Sequence, residues 1–117
     1  MHYFSVCLSG EKIDAETLNL TLKKLALTAC HLKGEPIVRR PAHIYPECLL
    51  GFEAKGFELL ELLQYLLKLE DELRKQGVQS VEVHALMEKG SQINGELSIK
   101  EIAILSKLNA NFTWSVL

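Results

Sequence analysis

The stretch 57–76, FELLELLQYLLKLEDELRKQ, runs without glycine or proline and repeats leucine at helical spacing. At 100° per residue, Leu59, Leu60, Leu62, Leu63, Leu66, Leu67, Leu69 and Leu73 occupy an arc wider than a half-circle. A helix with so broad an apolar face needs more than one neighbour, so it is expected to touch a sheet and a second helix, with another chain as a further candidate neighbour. Glu70 and Arg74 fall in the same arc at i,i+4 in the favourable acid-first order, which predicts a local ion pair at the end of the greasy face.

Sheet-forming segments are legible on both sides of this helix. Residues 2–8 alternate Phe4, Val6 and Leu8 against Tyr3, Ser5 and Cys7. Residues 48–53 read as a strand with Leu50 and Phe52 inward. Residues 80–88 place Val81, Val83, Ala85 and Met87 on one face and Glu82, His84 and Leu86 on the other. Residues 111–117 alternate Phe112, Trp114 and Val116 against Thr113 and Ser115.

Two further helices announce their starts. Asp14 is a good N-cap, with Ile13 before it able to staple onto Leu18, and the expected core stripe is Ala15, Leu18, Leu22, Leu25 and Ala29. Leu20 and Leu27 fall on the opposite side of that helix, to be covered by the following loop or by a partner. Farther on, after the polar turn GSQING, Ser98 and Glu101 form a capping box, Leu97 can staple onto Ile102, and the helix should end near Asn109. Gly77 is placed to stop the leucine helix as a left-handed residue.

Between these elements, 30–47 holds all three prolines, each disfavouring helix at the residue before it. At most a short strand near 30–33 precedes the Gly34 turn, and the remainder is expected to be a long loop of the kind that often binds. The resulting order, β-α-(β)-β-α-β-α-β, with strands apolar on one face only, predicts an α+β fold. It is a two-layer sandwich in which helices pack on one face of a mostly antiparallel sheet and the other face stays open. That open face would carry Tyr3, Ser5, Cys7, Glu82, His84, Leu86, Thr113 and Ser115. A chain of 117 residues suits one domain, 1–117, able to bury its core without metal or disulfide support.

Composition narrows the function classes. A net charge of −2 with acids and bases mixed argues against a nucleic-acid or anionic-membrane binder, and no apolar run reaches the ~20 residues of a membrane span. The first residues lack the basic and apolar regions of a secretory signal, so a cytoplasmic location is expected. Cys7, Cys30 and Cys48 are three in number and widely spaced, which fits free thiols better than bridges or a C-x-x-C zinc site. His31, His43 and Cys30 or Cys48 match no known metal-ligand spacing, so no metal or other cofactor is expected. No nucleophile elbow, phosphate loop or dinucleotide fingerprint occurs. Cys7 and His84 share the open sheet face, yet sharing a face is not adjacency, and no catalytic residue is assigned. The chain reads as a non-enzyme. Two surfaces stand out as contact sites: the loop residues Arg39, Arg40, His43 and Tyr45, of the residue types that dominate interface energetics, and Glu82 with His84 on the open face.

The opening strand followed by Ser9-Gly10, a capped helix, the Lys33-Gly34-Glu35 turn and the ending GELSIKEIAILSKLNANFTWSVL together resemble a bacterial family of small α/β proteins of unknown function. Where that family carries a Gly and a Pro before its second strand, this chain reads LALTACHLKGEP. Small, mildly acidic chains of this architecture look like immunity proteins of contact-dependent growth inhibition and related polymorphic toxin systems. The resemblance implies a module that occludes a cognate toxin domain by stoichiometric contact and has no catalytic residues of its own. The alternative is a small regulatory domain that dimerises through its sheet or helix layer and binds a metabolite.

Overall fold

In a computed structural model, which describes residues 2–87 and 97–116, the chain forms an α+β sandwich. Its elements are β1 (His2–Gly10), α1 (Ala15–Thr21), β2 (Ala26–His31), β3 (Pro36–Ile37), β4 (Arg40–Ile44), β5 (Cys48–Ala54), α2 (Leu59–Lys68), α3 (Glu70–Lys75), β6 (Ser80–Met87), α4 (Ile99–Leu108) and β7 (Ala110–Val116). Five strands form one sheet in the order β2-β5-β1-β6-β7. Three pairings are antiparallel, and β7 returns beside β6 in parallel after the α4 crossover.

The alternation of the strands sets the layers. Phe4, Val6 and Leu8, Leu50, Phe52 and Ala54, and Val81, Val83, Ala85 and Met87 are all buried on one face. Against them lie Leu18 of α1, Leu62, Leu63 and Leu66 of α2, Leu73 of α3 and Ile104, Leu105 and Leu108 of α4. Expected caps are present. Asp14 accepts from the Glu16 amide, and Ser98 and Glu101 close the capping box of α4, which ends at Asn109 in the left-handed conformation. Gly77, with φ of +97°, ends α3 as a Schellman turn. Its amide donates to the Arg74 carbonyl, and the Val78 amide donates to the Leu73 carbonyl.

The structure corrects several local expectations. The first helix stops at Thr21, and the chain enters β2 at Ala26, so Leu25 and Ala29 do not extend its stripe. A helical pattern here loses to backbone pairing with β5, which a local reading does not register. Leu27 therefore packs on the core from a strand, while Leu20 is 73% exposed on α1. The long leucine helix breaks at Leu69 (φ −98°, ψ 3°). The acids Glu70, Asp71 and Glu72 then sit in the first turn of α3, where the helix dipole favours negative charge.

Arg74 does not pair with Glu70. Its guanidinium donates to the carbonyls of Val78 (3.2 Å), Gln79 (2.9 Å) and Leu108 (2.6 Å), tying the end of α3 to the end of α4. Glu70 Oε2 is buried without a hydrogen-bond partner. The proline-rich connection is not a plain loop: β3 and β4 make a small hairpin. Leu97 is half-buried against the core, and Ile102 is 53% exposed on α4. Glu88 and the GSQING turn lie outside the described residues.

Candidate functional site

The face of the sheet away from the helices is the candidate site. Register stacks its residues in rows across the strands: Tyr3, Leu86 and Ser115; then Glu53, Ser5, His84 and Thr113; then Gly51, Cys7, Glu82 and Asn111. The strand phases place Tyr3, Ser5, Cys7, Glu82, His84, Leu86, Thr113 and Ser115 here, and the register adds Glu53, Gly51 and Asn111. Which residues touch follows from the parallel, in-register pairing of β6 with β7.

That pairing builds an ordered polar chain around His84. Its Nδ1 lies 2.6 Å from Thr113 Oγ1, its Nε2 lies 3.1 Å from Ser115 Oγ, and the Thr113 hydroxyl donates to Glu82 Oε1 at 3.3 Å. Thr113 has one proton, and Glu82 receives it, so Thr113 Oγ1 accepts from His84. In the Nδ1–H tautomer that this requires, Nε2 accepts the Ser115 proton. The chain is directed from Ser115 through His84 and Thr113 to the Glu82 carboxylate. His84 is half-buried and held at both nitrogens, so the face presents a fixed donor and acceptor pattern. Thr113 and Ser115, placed on this face by the strand pattern, turn out to be its positioning partners.

Cys7 sits in the row of Glu82, while the antiparallel neighbour of His84 is Ser5. Burial, and after it the Glu82 carboxylate, pushes the Cys7 thiol above its ordinary pKa. This is the opposite of the thiolate stabilisation that a nucleophile needs. The three cysteines are free, with Cys30 exposed, Cys7 half-buried and Cys48 buried.

The hairpin residues lie apart from this chain. Arg39 is in the turn between β3 and β4, Arg40 and His43 are exposed on β4, and Tyr45 follows β4. Tyr45 stacks on His31 of β2 with ring centroids 4.4 Å apart, exchanging backbone hydrogen bonds with Gly34 and Glu35. This anchors the hairpin beside β2, three strand positions from β6, roughly 14 Å at the spacing of a sheet. Glu82 and His84 are thus brought together, as are the hairpin residues, in two separate patches. Among the described residues no three His, Cys, Asp or Glu side chains cluster in a way that could hold a metal ion. No helix among them is long and apolar enough to cross a membrane.

A cleft of about 500 Å³ opens at the end of β1 and β5, lined by Tyr3, Phe4, Glu53, Ala54, Lys55, Gly56, Phe57 and Glu58. Its volume falls in the range of small-molecule sites. No protein-family model, curated protein or solved structure matches the chain.

Proposed function

We propose that this chain is a non-enzymatic binding protein whose contact surface is the uncovered sheet face, and that its partner is a cognate bacterial toxin domain neutralised by stoichiometric occlusion. The observation that carries the binding role is the directed chain Ser115–His84–Thr113–Glu82. Side chains already held in one geometry lose little freedom on contact, and preorganisation of this kind converts contact into affinity. Five strands of about seven residues span roughly 24 by 24 Å, a projected area near 600 Å² before side-chain relief is added. That is on the scale of the ~800 Å² per partner of a stable complex. The exposed Arg39 and Arg40 offer a second, cationic patch for an acidic partner surface, with the exposed His43 beside them. The partner class comes from the resemblance to immunity proteins described above.

The test is a calorimetric titration against the toxin domain encoded beside this gene, with the toxin's activity followed in parallel. A saturable one-to-one complex that silences the toxin is expected. A second reading, the metabolite-binding regulatory domain, is favoured by the cleft between Tyr3 and Phe57. Absence of binding to the toxin domain, with a rise in melting temperature on adding a small metabolite, would replace the first reading with the second.

A further inference from the structure

The two edges of the sheet are built differently. At one edge, β2 carries a register shift between Leu27 and Ala29 and is followed by the anchored hairpin. Bulges of this kind turn an edge away from further pairing. At the other edge, β7 keeps an unbroken seven-residue register with β6. Among the described residues β6 is its one strand neighbour. It contains no charged residue and no proline, the usual guards of an exposed edge. Trp114 and Val116 are 49% and 62% exposed on it.

The sequence of β7, ANFTWSV, is symmetric in character about Thr113: an apolar, a polar and an aromatic residue on one side are answered by an aromatic, a polar and an apolar residue on the other. We infer that β7 is a homodimerisation edge, pairing antiparallel with β7 of a second copy about a two-fold axis through Thr113. In that register Phe112 meets the second copy's Trp114 on the helix side, and Asn111 meets its Ser115 on the open side. Thr113 meets its own counterpart. Aromatic pairs and Thr–Thr pairs are among the favourable cross-strand combinations, and the absence of charge removes the like-charge clash that a two-fold axis otherwise creates. The occupant is a second copy because only an antiparallel β7 answers every position in kind. A single strand on each side is a small interface, so the dimer is weak and dissociates on dilution. This inference is independent of the toxin reading.

The test is sedimentation equilibrium of the full chain together with site-directed cross-linking. Wild-type protein at about 100 µM should show twice the monomer mass and fall to the monomer on dilution. Thr113→Lys sets two ammonium groups opposite each other, and Trp114→Glu removes both aromatic pairs while leaving the His84 chain whole. Each should be monomeric at the same concentration with its circular-dichroism spectrum unchanged. In a Cys30→Ser background, Thr113→Cys should oxidise to a covalent dimer, because directly opposed Cα atoms lie about 4.5–5.5 Å apart, within disulfide reach. Asn111→Cys should not, since its counterpart is displaced by four residues, roughly 14 Å. A wild-type monomer at 100 µM, a dimer that survives Trp114→Glu, or cross-linking at 111 in place of 113 would each overturn the inference.

Discussion

Gly77 offers the sharpest test of how the helix layer is fastened to the sheet. Its φ of +97° is a conformation that side chains rarely adopt, and a Cβ there would lie 2.0 Å from the Lys12 carbonyl oxygen. The first effect costs about 1–2 kcal/mol for an L residue. The second cannot be relieved by a rotamer change, because the obstacle is backbone, and overpacking of this kind costs about 1–3 kcal/mol. Gly77→Ala should therefore lose roughly 2–5 kcal/mol, a large share of the ~5–15 kcal/mol that stabilises a typical domain. Gly34 and Gly56 supply the controls. Their φ values are +91° and +77°, but nothing lies within 4 Å of a Cβ at either, so alanine there meets only the conformational cost. In urea denaturation with a slope near 1.5 kcal/mol/M, Gly77→Ala should lower the midpoint by roughly 1–3 M, clearly more than Gly34→Ala or Gly56→Ala. Equal shifts for the three variants would refute the close approach of the β1–α1 and α3–β6 connections.

Three other outcomes follow from the same geometry. Leu66→Asp places a carboxylate among fully buried side chains and should abolish cooperative unfolding, as read by a thermal melt. Alkylation under native conditions should modify Cys30 first, Cys7 next and Cys48 last, and Glu82→Gln should speed Cys7 at a given pH by removing one of the two causes that raise its pKa. Asp14 is held below its ordinary pKa of 3.8, first by the Thr17 hydroxyl and then by the amides of Thr17 and Glu16. Its capping stabilisation is thus complete above that pH and lost as pH falls through the lower folded value. The stability difference between wild type and Asp14→Ala should accordingly be present at pH 7 and shrink as the carboxylate titrates in acid.

What was readable in the sequence was whatever depends on near neighbours. The one-sided alternation of β1, β5 and β6 named the buried face, and Ser98 with Glu101, Asp14 and Gly77 marked helix ends because caps are local chemistry. The end of α1 was not readable, since Leu18, Leu22 and Leu25 fit a helix well and only the pairing of 26–31 with β5 makes a strand there. The hairpin was hidden by its prolines. Pro36 opens β3 and Pro41 lies in a sheet that has only two strands among the described residues, where a missing amide at an edge is tolerated. The partners of Arg74 escape a local reading for a related reason: Glu70 is four residues away, but the Leu108 carbonyl it binds is thirty-four away. The site shows the same division. Glu82 and His84 were placed on the open face by strand phase, while their hydrogen-bonded connection through Thr113 and Ser115 required the register of β7.

The proposed binding surface is the uncovered sheet face with the hydrogen-bonded chain at His84. Its most direct test is calorimetric titration of His84→Ala and Glu82→Ala against the toxin domain, beside Arg39→Ala and Arg40→Ala from the hairpin, with melts confirming that each variant is folded. Loss of a preorganised anchor should weaken binding by about 2 kcal/mol, roughly thirtyfold, for His84→Ala. The hairpin variants should act mainly through a slower, less salt-sensitive association, because each removes a charge whose attraction salt screens. Wild-type affinity in His84→Ala and Glu82→Ala, with binding abolished by either arginine variant, would contradict the account and move the surface to the hairpin.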